Sequence, residues 1–334
     1  MRIAFLRGSV PPKHEHPEKL RYNTIDECED QWTQLYYHLC KELGSSGELL
    51  YQYGHNNAPF PFKKRIEGRI WEKHIPFFKS YTPKIAPDII IARGGFPDYD
   101  HFIRRYPNAL KIYYGAGVRY YPKTKFTDYD LFLVDSHSQF EDVKSKGKNP
   151  KMLIKPAASM FNPKKVSKEY DVCFMANATQ HAIKRHQFFL ETFKDSGLKI
   201  LALGNTDKKF TNYAKKNDMD VTWAGWTLRK YLPEKISRCK VGVVCCTSYD
   251  SCPRVIPEQL ACGVPIVATE GINFWHEKYV SEKHKTGVIV PDSQLLSATN
   301  DLISKKWNPS SYYEKQLSLP VAARDLAKTI GKLI

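Results

Sequence analysis

Two carboxylates, Asp250 and Glu258, stand with seven residues between them in the stretch DSCPRVIPEQLACGVPIVAT, residues 250–269. Asp250 falls in a polar loop, residues 247–254, and Glu258 at the start of a helix-favouring run. A carboxylate in a loop above a strand can accept hydrogen bonds from sugar hydroxyls, and one at a helix start can take both hydroxyls of a ribose. The loop amides and the helix N-terminus between them suit a diphosphate. A plainer role fits the same spacing: Glu258 complements the helix dipole and Asp250 caps a turn.

Three elements must position these acids. Residues 241–246 are apolar without alternation, the pattern of a central parallel strand covered on both faces. From Pro257 the run Glu258, Gln259, Leu260, Ala261 and Cys262 favours helix, Gly263 stops it, and Pro265 blocks its continuation. Residues 266–268 form a second buried strand directly after. In such a strand, loop, helix, strand unit, ligands bind at the carboxyl ends of the strands.

The segment resembles the motif of retaining family-4 glycosyltransferases of the GT-B fold, in which an ExGxxxxxE loop and helix run into ACGxPVVAT. Asp250 stands for the first Glu and Glu258 for the second, with Ala261, Cys262, Gly263, Pro265, Val267, Ala268 and Thr269 in register. The resemblance implies that the first acid meets the donor sugar and the second its ribose. It adds Ser251, Cys252 and Arg254 to the donor side. The chain departs from the motif in two ways. Its first acid is one methylene shorter, and Pro253, which has no amide to donate, stands with Arg254 where the family has a small, flexible loop.

Other segments carry the same likeness. Residues 154–163, IKPAASMFNP, resemble the family's interdomain connector, with Pro156, Phe161 and Pro163 in matching places. The loop after the strand at 171–175 sits where the family has GRxxxxK, whose Arg and Lys grip the donor diphosphate. Asn177 occupies the Arg position, and Lys184 with Arg185 lies near the Lys position. Positive charge is needed there because the leaving diphosphate gains charge as the glycosidic bond breaks; surface cations in a basic protein would look the same. Gly225, Trp226 and Thr227 open a segment similar to FxGxVxxxxLxxxY, whose loop holds the nucleotide base. Trp226 is read either as a base platform or as a core aromatic. TGVIVP at 286–291 is similar to the family's GxLV strand, and the helical pattern over 310–333 has the place of its C-terminal crossing helices.

The first half reads as one α/β unit. Strands are expected at 2–6, 49–53, 88–92, 110–114 and 131–134, with a helix over 26–43. Four of these strands end in small or polar residues, as in a parallel sheet whose top edge faces a cleft. No GxGxxG follows the first strand, which sets aside hydride transfer. The resemblance assigns Gly8, Ser9, Arg93, Gly94 and Gly95 to the acceptor side. The family's histidine after the fourth strand is replaced by Gly115 and Ala116.

Composition bounds the rest. The 334 residues hold 42% hydrophobic and 26% charged side chains, ordinary for two globular α/β domains. MRIAFLRGS lacks the apolar core and cleavage site of a signal peptide, so a cytoplasmic protein is expected. Eight cysteines without a CxxC pair are read as reduced and structural. An excess of 51 Lys and Arg over 35 Asp and Glu calls for an anionic partner: a nucleotide sugar, with peripheral contact to an anionic membrane open and nucleic acid disfavoured for want of any recognised motif. The strings Asp98-Tyr99-Asp100, Asp128-Tyr129-Asp130 and Asp218-Met219-Asp220 do not follow a buried strand of the nucleotide half, so no metal or other cofactor is expected.

The expected architecture is α/β of GT-B type, two Rossmann-like domains across a cleft. The acceptor side spans 1–155, the donor side 156–309, and a C-terminal helix at 310–334 crosses back. The expected reaction is retaining transfer of a hexose from a nucleoside-diphosphate sugar, GDP-mannose by preference and otherwise a UDP-sugar, to a glycan or glycoprotein. A nucleotide-sugar epimerase of the same fold and a basic glycan- or nucleic-acid-binding protein are the alternatives. The chain's compact length is similar to that of virus-encoded members of the family.

Overall fold

The computed structural model describes residues 1–7, 24–52, 63–75, 78–94, 97–115, 126–250 and 252–334. The chain divides into two compact units, Met1–Ile154 with Leu319–Ile334, and Lys155–Ser318.

The first unit is built on β1 (Arg2–Arg7), α1 (Gln31–Glu42), β2 (Ser46–Gln52), β3 (Lys63–Ile66), β4 (Ile70–Ile75), β5 (Ile89–Arg93), α2 (Pro97–Arg104), β6 (Leu110–Tyr114), β7 (Leu131–Val134), α3 (His137–Ser145) and β8 (Pro150–Met152). Its eight strands lie in the order β3-β4-β2-β1-β5-β6-β7-β8, parallel except for the β3–β4 hairpin. Continuous apolar runs such as IIIA in β5 are buried on both faces, which is why they carry no polar alternation. The helix expected over 26–43 begins at Gln31 because Asp30, in extended conformation, caps it by accepting from the Thr33 amide at 3.0 Å.

The second unit follows as β9 (Tyr170–Met175), α4 (His181–Lys184), α5 (His186–Phe193), β10 (Ile200–Leu203), α6 (Lys208–Lys216), β11 (Val221–Trp223), α7 (Leu232–Ser237), β12 (Cys239–Val244), α8 (Val255–Ala261), β13 (Ile266–Thr269), α9 (His276–Tyr279), β14 (Gly287–Val290), α10 (Leu295–Ser304) and α11 (Pro309–Gln316). All six strands are parallel, in the order β11-β10-β9-β12-β13-β14. Numbered from β9, this is the doubly wound order 3-2-1-4-5-6, whose direction of winding reverses between β9 and β12. Val172, Phe174, Val241, Val243 and Val267 of the strands meet Phe189 and Phe193 of α5 in one core. Phe174 and Phe189 stack at 4.0 Å between ring centroids.

The C-terminal helix expected at 310–334 is two helices that belong to different units. α11 packs on α8, whereas α12 (Leu319–Ile330) buries Leu319, Ala322, Ala323, Leu326 and Ile330 in the first unit and packs along α1. The helical register breaks at Leu317, and Leu319 restarts the chain with Pro320 in its first turn. All eight cysteines are buried and none is in a disulfide. Among the described residues no helix is long and apolar enough to cross a membrane.

Candidate donor site at the carboxyl edge of the second sheet

Where the winding reverses, the carboxyl ends of β9 and β12 diverge and leave a crevice with a loop on each side. The β9 loop delivers Lys184 and the β12 loop delivers Asp250, and the two side chains, both largely buried, form an ion pair. The Thr247 amide donates to the Ile183 carbonyl at 2.8 Å, so backbone as well as side chain ties the two loops together. Burial alone would lower the Lys184 pKa. Attraction to the Cys246 thiol and to Asp250 outweighs it and leaves the ammonium above its ordinary value. Arg254 lies close enough for its charge to oppose that of Lys184, so two cations and one carboxylate share this edge.

Glu258 sits one turn into α8, six per cent exposed, and accepts from Arg229 Nη2 at 2.8 Å. Arg229 begins the 3-10 turn Arg229–Tyr231 and lies over the Phe161 ring at 5.4 Å. Sequence reading missed this residue, because its carboxylate is 29 positions away and nothing in the LRKYL run marks a buried partner. Between the two acids the loop is pinned from below: the buried Lys155 ammonium donates to the Cys252 carbonyl at 2.8 Å.

Several expected site residues stand elsewhere or are used differently. Arg185 adopts φ +52° between α4 and α5, and that left-handed kink turns it away from Lys184. Its guanidinium donates to Asp292 at 2.9 Å and covers the Phe188 ring at 3.8 Å, so it is tied to a structural partner. Asn177 accepts from the Asn205 amide at 3.1 Å and joins the ends of β9 and β10. Gly204 makes that junction feasible: at φ +120°, a Cβ would meet the Ala176 carbonyl oxygen at 2.3 Å. Gly225 turns at φ +63°, Thr227 Oγ1 lies 3.5 Å from its carbonyl, and Trp226 is 66% exposed. Trp226 is therefore not the core aromatic that was one of its two expected roles.

Ser251, Gly8, Ser9 and Gly95 lie outside the described residues. Arg93 ends β5 in the first unit, and the Gly94 amide donates to the Tyr114 carbonyl at 2.8 Å with φ +74°. Of the DxD acids, Asp128 pairs with Arg104 at 3.2 Å and Asp130 accepts from the Lys111 amide at 2.8 Å. A surface groove of about 860 Å³ in the second unit, lined by Trp275, Lys278, His284 and Tyr312 among others, shares no residue with the Lys184–Asp250 cluster.

Residues 169–305 match the family described as glycosyl transferases group 1. This segment, less than half of the chain, is what resembles that family. It contains β9 to β14, the Lys184–Asp250 pair and the Arg229–Glu258 pair. Solved structures show the same fold over the whole chain at low sequence identity. Sucrose-phosphate synthase from Thermosynechococcus elongatus superposes with a TM-score of 0.71 at 14% identity, covering 99% of this chain and 98% of that one. The apo form of the lipopolysaccharide outer core galactosyltransferase WaaB gives 0.66 at 12% identity over the full length of both chains. Anabaena HepE, in complex with UDP and glucose, gives 0.60 at 12% identity, covering 99% and 100%. No curated protein sequence matches. The matched segment thus lies in a mixed α/β chain with two largely parallel sheets, the GT-B type of fold.

Proposed function

We propose that the protein is a retaining glycosyltransferase that moves a hexose from a nucleoside-diphosphate sugar to a glycan or glycoprotein acceptor. The observation that carries this reading is the Lys184–Asp250 pair at the winding reversal of the second unit's sheet. A cation and an acid side by side at that crevice suit an activated sugar, whose phosphate oxygens and sugar hydroxyls need opposite partners. In this reading Lys184, helped by Arg254, stabilises the charge that builds on the departing diphosphate. Asp250 accepts from the sugar hydroxyls and Glu258 from the ribose diol, with Arg229 holding the Glu258 carboxylate in place. The diphosphate oxygen that leaves takes the acceptor's proton on the same face of the sugar, so configuration at the anomeric carbon is retained. UDP in the HepE structure moves the preferred donor from GDP-mannose, the one expected first, to a uridine nucleotide sugar.

Thermal shift with a panel of UDP-glucose, UDP-galactose, UDP-N-acetylglucosamine and GDP-mannose tests the donor, since a ligand bound only by the native state raises the melting temperature. One nucleotide sugar should stabilise the wild type and lose that effect in Glu258→Ala. No stabilisation by any of them would reject the reading. The anomeric configuration of the product, read by NMR, tests retention, and release of a free epimerised nucleotide sugar without acceptor would point to an epimerase instead.

A further inference from the structure

The first unit's sheet also reverses its winding, between β1 and β5. Four neighbouring strands end there in one in-register row, Tyr51 of β2, Arg7 of β1, Arg93 of β5 and Tyr114 of β6. Residues paired in register across parallel strands point to the same face. Two guanidinium groups therefore stand side by side between two tyrosines, at the edge where open α/β sheets bind ligands.

The two arginines are treated differently. Arg7 pairs with the Asp30 carboxylate and donates to the Tyr51 hydroxyl at 2.8 Å. Asp30 is fully engaged, accepting also from the Thr33 amide at 3.0 Å and its hydroxyl at 2.8 Å. Although burial works against its charge, Arg7 holds its pKa down at about 2. Glu72 lies beyond Tyr51 on β4, farther across the sheet from β5. Asp135 accepts from the Tyr114 hydroxyl at 3.1 Å.

Arg93 has no carboxylate within ion-pair distance among the described residues. Its guanidinium carbon lies 4.6 Å from the Trp32 ring and 5.7 Å from the Tyr114 ring, and its Nε is buried without an acceptor. Rings on two sides hold the planar fork and cover part of it from water, and Asp30, near enough to feel its charge, is already taken by Arg7. A planar, half-buried guanidinium with free N–H groups is matched by an oxyanion, taken through two parallel hydrogen bonds.

We propose that Arg93 reads an anionic group on the acceptor, a carboxylate or phosphate carried by a sugar. The assignment to the acceptor rests on the glycosyltransferase reading above, in which the donor occupies the second unit; the anion site itself does not.

The test is calorimetric titration of the full chain with methyl glucuronide, glucose 6-phosphate and neutral methyl glucoside. At least one anionic sugar should bind about tenfold more tightly than the glucoside, with an advantage that shrinks at high salt. Which one binds separates carboxylate from phosphate. Arg93→Gln should abolish the preference and Arg93→Lys should keep part of it, while both leave the nucleotide-sugar thermal shift unchanged. A merely structural Arg93 would instead change the melting temperature without moving the ratio. Equal binding of all three sugars to the wild type, which needs no variant to fold, would overturn the proposal, as would a preference that survives Arg93→Gln. If the nucleotide-sugar panel fails while the anion preference holds, the anion site stands and its assignment to an acceptor falls.

Discussion

Arg229 Nη2 lies 2.8 Å from Glu258 Oε1, and both side chains are largely withdrawn from water. Removing the guanidinium strands a carboxylate that α8 cannot turn out to solvent. Arg229→Ala should therefore cost about 3 kcal/mol, the low end for a buried pair that loses one partner. Urea unfolding checks this, and Glu258→Leu added to Arg229→Ala should recover part of the loss. Donor-induced stabilisation should vanish in the single variant. Full retention of it would mean that Glu258 needs no such support.

Lys184 faces Asp250 across the crevice between β9 and β12. If it meets the departing diphosphate, Lys184→Met should lower kcat by about 10²- to 10³-fold, as loss of one preorganised charge-stabilising group does elsewhere. Lys184→Arg should retain most of the rate. A kcat unchanged in Lys184→Met would remove Lys184 from the chemistry and leave it as a tie between loops.

Trp226, two-thirds exposed on the loop after β11, is poorly placed to support the fold. Trp226→Ala should change stability by no more than about 0.5 kcal/mol, the usual range for surface substitutions. If the indole stacks on the nucleotide base, donor binding should weaken by about 1–3 kcal/mol. Titration of wild type and variant with the free nucleoside diphosphate separates the two effects.

Gly204 sits with φ +120° against the Ala176 carbonyl. Gly204→Ala adds both a backbone strain and a clash with backbone that has nowhere to go, so a loss of at least about 2 kcal/mol is expected. The melting temperature reports it. Because the clash pushes on the loop that leads to Lys184, donor binding should suffer as well.

His186 starts α5 buried between Phe174 and Phe210, with burial the main reason its pKa falls to about 4. The unfolded chain takes up this proton near 6.5 and the folded one only near 4, so within that window the unfolded state binds more protons. Stability contributed by the neutral ring is complete above 6.5 and is lost as pH falls toward 4. Urea midpoints at pH 7 and pH 5 should differ more in the wild type than in His186→Phe.

Much of this molecule was legible in its sequence because parallel strands buried on both faces announce themselves. The strands at 110–114 and 131–134 are read to the residue, and those expected at 171–175, 241–246, 266–268 and 286–291 to within two. β3, β4 and β8 were missed because β3 and β8 are the edge strands and β4, the next strand in from β3, is interrupted by charges. KKRI carries the charges that an edge strand tolerates, Glu72, Lys73 and His74 break the apolar run of IWEKHI, and PKM is too short to show a period. At the site, motif and spacing put Lys184 and Asp250 on the donor side without showing that they pair, and Arg185 cannot be told from its neighbour in the sequence. A non-glycine residue in the left-handed region sends it to Asp292. Arg229 was invisible for the opposite reason: its role depends wholly on a tertiary contact.

The last sixteen residues belong to the unit that the first 154 begin. During synthesis the β1 to β8 sheet therefore emerges long before the helix that covers α1, and that apolar flank stays wet until residues 319–330 have been made. A fragment ending at residue 154 would keep the same defect permanently. Splicing 319–334 directly behind it is the way to obtain an independently folding first half, and the second unit, Lys155–Ser318, can then be studied alone as the intervening insert.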